Sequence, residues 1–313
     1  MKSKTKVVVL CGGNSAEAQV SRNSGACVAE ALKSNYANVE VLDCRPFDLP
    51  RRLQLSKPDV VFSMLHGGAG EDGTVSALLS LLGVKYVGSG VAASAQAMDK
   101  WLAKINWRAA ELPVLPDIVC RASDDVSAIA SQAMSEFSEG SVVKPANQGS
   151  AIGVSFCETV AQLESGIRQA LSYGTAALIE PRFRGREISV AILADPEPRA
   201  LPPIEVVLPQ GSHFDYYHRY TEGAAEHLCP APMDPGTFSK VEQIAVRAHR
   251  ALGCTHYSRV DMLVNDFGAV ALLELNTIPG MTSTSLYPHA ARAASIPYEE
   301  LVRRLIELAL DGR

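Results

Sequence analysis

Residues 6–10 read KVVVL, and after one more residue the chain meets Gly12-Gly13. A short, unbroken apolar run ending at a tight turn is the pattern of a strand buried on both faces in a parallel sheet. Parallel neighbours need crossover connections, usually helical. The next residues supply one: Val20, Ser24, Cys27, Val28, Ala31 and Leu32 recur at helical spacing within 16–32, with Ser15 as the expected N-cap. Residues 39–42 and 60–65 are two further strands, and 74–82 is a helix. The first 90 or so residues therefore predict an α/β unit with a parallel sheet.

The remainder changes character, and 313 residues suffice for two to three domains. Residues 91–182 predict an α+β unit: a helix over 92–110, a connection bounded by Pro113 and Pro116, a strand over 141–144, a Gly-rich loop, a helix over 160–172 and a strand over 176–180. Residues 183–313 predict a strand over 188–194, a polar stretch at 211–229, a helix presenting Phe238, Val241, Ile244, Ala245, Ala248 and Leu252, a hairpin, and a closing amphipathic helix with Leu301, Leu305 and Leu308.

The hairpin carries the first chemistry. Strands over 258–264 and 269–275 flank the turn Asn265-Asp266-Phe267-Gly268. Glu274 and Asn276 are two apart and share a face. If Val264 pairs with Ala269, Arg259 lies opposite Glu274 and Asp261 is diagonal to it. Two carboxylates and an amide oxygen form a hard donor set suited to Mg²⁺; the alternative is a solvated strand face with an Arg259–Glu274 ion pair. Beyond it, residues 276–285 could hold an anion on backbone amides and hydroxyls, or form an ordinary surface loop. Lys144 ends a strand and precedes a Gly/Ser-rich loop reaching Gly153, which could cradle phosphate or be a plain turn. Gly12 to Glu17 and His66 to Gly73 follow strands, where ligands gather on parallel sheets.

The net charge of −5 argues against a nucleic-acid partner. The seven cysteines form no CxxC pair and are expected to be reduced, in a cytoplasmic protein. The N-terminal apolar run is too short for a signal peptide, and no run of 18 or so apolar residues predicts a membrane span.

Seven blocks in order along the chain resemble the D-alanine–D-alanine ligase family of the ATP-grasp superfamily: GGNSAEAQVSRNSG (12–25), LHGGAGEDGT (65–74), YVGSGVAASAQAMDKWLAK (86–104), VVKPANQGSAIGVS (142–155), CPAP (229–232), SRVDML (258–263) and LLELNTIPGMTSTSLYP (272–288). The resemblance implies an ATP-grasp fold behind a Rossmann-like N-terminal domain. Residues 1–90 would bind the first amino acid, 91–182 form the central lobe, and 183–313 form the C-terminal lobe with the metal site and a lid. It implies ATP-driven joining of two D-alanines through an acyl-phosphate for peptidoglycan synthesis, and a homodimer; a sister ligase using D-lactate, D-serine or another amino acid is the alternative.

By the same resemblance, Lys100 and Lys144 contact ATP phosphates, Glu180 and Phe183 hold the adenine, and Glu187 binds the ribose. Asp261, Glu274 and Asn276 would hold two Mg²⁺ ions, with Mn²⁺ an acceptable substitute. Arg259 and the Gly280 N–H would stabilise the oxyanion. Glu17 would grip the first ammonium, with His66 near that amino acid's carboxylate. Ser150 and Tyr220 would join Glu17 to close the lid, and Ser285 and Leu286 would meet the second carboxylate. Tyr220 and Leu286 favour D-alanine as acceptor. The chain departs from the family at Gln148 and Ala151 in the phosphate loop, Arg219 in the lid, Pro181 beside the adenine and Ala18-Gln19 in the first loop.

Overall fold

A computed structural model describes residues 2–209, 221 and 223–312, apart from the side chains of Cys44 and Pro46. The first strand, β1 (Ser3–Gly12), is the centre of the N-terminal unit. Val7, Val8, Val9 and Leu10 are each 0% exposed, as the apolar run requires; at about 1.5–3 kcal/mol per buried side chain, this strand anchors the unit. Helix α1 (Ala18–Leu32) leads to β2 (Tyr36–Cys44), α2 (Leu49–Ser56) leads to β3 (Val60–Ser63), and α3 (Thr74–Leu81) leads to β4 (Lys85–Val87). The strands pair in parallel in the order β2-β1-β3-β4. The order reverses beside β1, so the loops after β1 and β3 converge at the carboxyl edge, where such sheets bind ligands.

Two antiparallel sheets follow. In the first, β5 (Ile118–Arg121), β8 (Ala176–Pro181), β6 (Ser141–Pro145) and β7 (Ser155–Cys157) pair in that order, backed by α6 (Val126–Glu136) and α7 (Val160–Tyr173). In the second, β12 (Glu226–Leu228), β11 (Ile204–Val207), β9 (Arg186–Ala194), β13 (Tyr257–Val264) and β14 (Val270–Asn276) pair in that order, with β10 (Pro198–Ala200) on β9. One face of this sheet packs on the helix Pro235–Ala251 and on α4 (Val91–Met98) and α5 (Lys100–Ala109), through Val241, Ala97 and Trp107 among others. The last two helices, Leu286–Ala293 and Tyr298–Asp311, return to the N-terminal sheet: Leu301, Leu305 and Tyr287 share a core with Val7, Val9 and Phe62.

Three sequence expectations need correction. The single helix over 92–110 is two helices, because Asp99 is extended (φ −96°, ψ 105°) and caps the second; its Oδ1 accepts from the N–H groups of Trp101 and Leu102 at 3.0 and 3.1 Å. Ser15 does not cap α1. Its hydroxyl donates to the His66 carbonyl at 2.6 Å, tying together the loops after β1 and β3. The hairpin register is also different: Val264 pairs with Val270, and Arg259 pairs with Asn276 rather than Glu274. A bulge at Leu273 shifts the count, so Asp261 is directly opposite Glu274. The six cysteines with described side chains are free. Among the described residues no helix is long and apolar enough to cross a membrane.

Candidate active site

The converging loops of the parallel sheet form one wall of a cavity of about 420 Å³. Glu17 immediately precedes α1, and one of its carboxylate oxygens accepts from the Ser150 hydroxyl, which reaches over from the loop after β6. Gly67 makes this close approach workable. Its φ of +73° is left-handed, and a Cβ there would lie 2.7 Å from the Glu17 carboxylate. His66 places Nε2 3.3 Å from the buried Ser24 hydroxyl, and burial lowers its pKa to about 4 despite the pull of Glu17. The imidazole is therefore neutral near pH 7. Glu71 shares this wall. Burial, reinforced by Glu17, pushes its carboxyl up to about 8, while the Gly67 N–H at 2.7 Å pulls the other way.

The opposite wall is the hairpin. Asp261 is 2% exposed and Glu274 faces it at a paired position, so two acids meet where like charges would repel. Cations offset them here. The Arg259 guanidinium forks onto Asp261 at 2.9 and 2.7 Å, the Ser189 hydroxyl donates to Asp261 at 2.7 Å, and the Lys100 ammonium lies 3.2 Å from Glu274. Asn276 continues this face, and its Oδ1 accepts from the Ile278 N–H at 2.8 Å. Three oxygen-bearing side chains with two negative charges suit a hard divalent cation. Beyond them, Gly280 and Ser285 edge the cavity. Ser285 sits at the N-terminus of helix Leu286–Ala293, a position that favours a carboxylate.

A second, larger cavity of about 740 Å³ lies between the two antiparallel sheets. Lys144, Glu180, Phe183, Glu187 and Asp261 line it. Its charges are chained: Lys144 lies 2.7 Å from one oxygen of Glu180, Lys104 holds the other, Asp117 follows Lys104 at 3.3 Å, and Arg108 ends the series on Asp117. Burial would raise the Glu180 pKa, but Lys144 and Lys104 outweigh it and leave the carboxyl below its ordinary value. Burial lowers Lys104 to about 8 against the pull of Glu180.

The loop after β6 joins the two cavities. The Lys100 N–H donates to the Ala146 carbonyl at 2.8 Å, and its ammonium donates to the Gln148 carbonyl. Ser150 and Ala151 both hold left-handed backbone, at φ 51° and 56°, which costs about 1–2 kcal/mol per residue for non-glycine side chains. The loop thus spends backbone energy to aim the Ser150 hydroxyl at Glu17.

Ten of the residues given a role in the site by the sequence line the smaller cavity: Glu17, His66, Lys100, Ser150, Arg259, Glu274, Asn276, Gly280, Ser285 and Leu286. Lys100 and Glu274 line the larger one as well, with the five named above. Tyr220 and Arg219, with most of the stretch 211–229, lie outside the described residues. Sequence reasoning passed over Glu71, Lys104 and Asp117. Glu71 lies within the quoted block HGGAGEDG, and Lys104 follows Lys100 by four residues on one helix face.

Comparison with known proteins bears on this arrangement. A family model described as D-ala D-ala ligase C-terminus matches residues 106–307, and one described as D-ala D-ala ligase N-terminus matches residues 45–89. The chain belongs to the D-alanine–D-alanine ligase family. A D-alanine–D-alanine ligase of Halalkalibacterium halodurans is 43% identical over 307 residues, covering 97% of this chain and 99% of that protein. One of Geotalea uraniireducens is 42% identical over 310 residues, covering 99% and 96%. Among solved structures, the D-alanine–D-alanine ligase of Bacillus anthracis superposes with a TM-score of 0.86 at 30% identity, covering 98% of each chain. The same enzyme complexed with ATP superposes with a TM-score of 0.84 at 28% identity and the same coverage. These neighbours share the ATP-grasp architecture behind a parallel-sheet domain, the fold class the seven sequence blocks imply.

Proposed function

We propose that the chain joins two D-alanines into D-alanyl-D-alanine, with ATP as the energy source and ADP and phosphate as by-products, for peptidoglycan precursor synthesis in the cytoplasm. One observation carries this reading: Lys100, Gln148 and Glu274 line both cavities. Phosphoryl transfer to a carboxylate needs donor and acceptor in line. A shared wall is where the phosphate end of a nucleotide in the larger cavity can meet an amino acid in the smaller one. The Bacillus anthracis relative solved with ATP supports the nucleotide. The full-length relatives named D-alanine–D-alanine ligase support D-alanine over D-lactate or D-serine.

In this reading Glu17 holds the first ammonium, Ser150 fixes Glu17, and neutral His66 lies beside the carboxylate. That carboxylate attacks the γ-phosphorus and the bond to ADP breaks, giving an acyl-phosphate; Lys100 and Lys144 offset the phosphate charge. Asp261, Glu274 and Asn276 are the residues that would hold two Mg²⁺ ions, or Mn²⁺, which supply charge neutralisation at the phosphates when bound. The second amine attacks the acyl carbon and loses a proton. Arg259 and the Gly280 N–H stabilise the tetrahedral oxyanion, and phosphate leaves. Ser285 and Leu286 meet the second carboxylate. Glu180 and Phe183 hold the adenine and Glu187 the ribose. The family resemblance assigns to Tyr220 and the stretch 211–228 the task of excluding water, which would hydrolyse the intermediate. The division of labour among 1–90, 91–182 and 183–313, and a homodimer through the first unit, belong to the same reading.

A coupled phosphate-release assay across D-amino and D-hydroxy acids tests it. Turnover is expected with ATP and D-alanine, lost in EDTA and restored by Mg²⁺. Faster turnover with another acceptor would reassign the substrate, and undiminished turnover in EDTA would overturn the roles of Asp261, Glu274 and Asn276.

A further inference from the structure

Lys104 has no part in the reaction just described, yet no other Lys, Arg, Asp or Glu among the described residues is, like it, 0% exposed. Burying an ammonium costs several kcal/mol per ion unless it is closely paired. Here both partners are acids, Glu180 and Asp117. Lys104 lines neither cavity, so any effect on a ligand passes through a neighbour. That neighbour is Glu180, which does line the nucleotide cavity. Its two oxygens are divided between two lysines, Oε1 to Lys104 and Oε2 to Lys144. A carboxylate held this way is acceptor-only.

The pairing also spans the two sheets. Ala103 and Trp107, on the same helix as Lys104, pack into the core beneath β9 and β13, whereas Glu180 belongs to β8 of the other sheet. One turn earlier on that helix, Lys100 reaches Glu274 at the junction of the cavities. The contact from Lys104 to Glu180 therefore sets the helix that carries Lys100 against the strand that faces the nucleotide.

We propose that Lys104 is a positioning residue for the nucleotide: it fixes Glu180 as an ionised acceptor on the cavity wall and thereby selects a base that offers an amino group there, adenine over hypoxanthine. A site built to accept a hydrogen bond discriminates against a base that presents a second acceptor. Without Lys104, Glu180 relies on Lys144 alone and draws that ammonium away from the phosphates. The inference rests on the ATP-dependent reading above.

The test uses Lys104→Met, close in length and uncharged, in the full chain, with calorimetric binding of ATP and of inosine triphosphate alongside turnover. The KM for ATP should rise about tenfold or more, as for loss of a charged hydrogen-bond partner, while the KM for D-alanine stays within about twofold. The preference for ATP over inosine triphosphate should shrink in both binding and turnover. In a Glu180→Gln background, adding Lys104→Met should change ATP binding by less than about twofold, because the two residues act as a unit. That double variant leaves no uncompensated carboxylate at 180, so it is informative even if Lys104→Met alone does not fold. Unchanged ATP binding in folded Lys104→Met, equal rises in both KM values, or a further tenfold loss in the Glu180→Gln background would each overturn the inference. The two readings fail separately. An unsubstituted chain that binds ATP over inosine triphosphate but releases no phosphate with D-alanine refutes the activity alone, and one that binds the two nucleotides equally refutes the role of Lys104 whatever the turnover.

Discussion

The two cavities meet at one wall, but they hold their polar groups in different ways. The smaller cavity takes Glu17, His66, Glu71, Ser150, Gly280 and Ser285 from loops and helix starts at strand ends. Glu17 and Ser150 meet through a hydrogen bond, the Gly67 N–H donates to Glu71, and the Gly67 backbone comes close to Glu17. The larger takes Lys144, Glu180, Glu187 and Asp261 from positions within strands, and its central charges neutralise one another in a chain. A change in the first region displaces one reacting group and should appear in turnover. A change in the second spreads along paired charges and should appear in nucleotide affinity.

The largest effect is expected at Arg259, which leans on Asp261 and lines the smaller cavity. Arg259→Gln should lower kcat about 10²–10³-fold, the usual loss for one oxyanion donor, with the KM for ATP little changed. Steady-state kinetics with each substrate varied will tell; a loss confined to ATP affinity would move Arg259 to the other side of the comparison. Next is Gly67→Ala. The added methyl meets the Glu17 carboxylate at 2.7 Å on a left-handed backbone. A displacement of that order should cut kcat/KM for D-alanine roughly 10²-fold and leave calorimetric ATP binding intact. Equal losses for both ligands would erase the contrast between the cavities.

A smaller effect is expected in the pH dependence of stability. The Glu71 carboxyl is raised from 4.5 to about 8, so its contribution to stability is fully present below 4.5 and is lost as pH rises through 8. Glu71→Gln cannot ionise and still offers an oxygen to the Gly67 N–H. Its melting temperature should match the unsubstituted chain near pH 5 and exceed it increasingly toward pH 8.5. Parallel thermal melts across that range decide the matter, and a constant gap would mean that Glu71 carries its charge in the folded protein.

The pattern of the chain made much of this legible. The run at 6–10 specified a doubly buried strand, because Val7 to Leu10 have no polar position to turn outward. The parity of Glu274 and Asn276 put the two on one face, and the expected pairing added Asp261; a slip of one residue would have turned Asp261 away, but the observed register keeps it there. What escaped was set by contacts distant in sequence. The Asp99 break came from a capping bond that competes with helix continuation, and it makes Lys100 the first residue of a helix rather than a mid-helix position. Ser15 donates to the His66 carbonyl 51 residues away and accepts from the Glu17 N–H just ahead of α1, so its hydroxyl ties two loops rather than capping the helix. The charge chain on Glu180 needed two sheets and a helix to be brought together before Lys104 could matter. The order of the sequence blocks pointed to the site residues, but the division of Lys100, Gln148 and Glu274 between two cavities is visible only in three dimensions.

The bulge at Leu273 has a consequence for how such a site can change over time. Val270, Leu272 and Leu275 all face the core, a spacing of two and then three, while Leu273 and Glu274 both line the nucleotide cavity. Removing the one codon for Leu273 would restore plain alternation, with the same three residues inward and Glu274 and Asn276 still opposite Asp261 and Arg259. The strand thus carries a detachable apolar floor for the nucleotide, and a lineage could deepen or fill that pocket one residue at a time without disturbing the acids beside it.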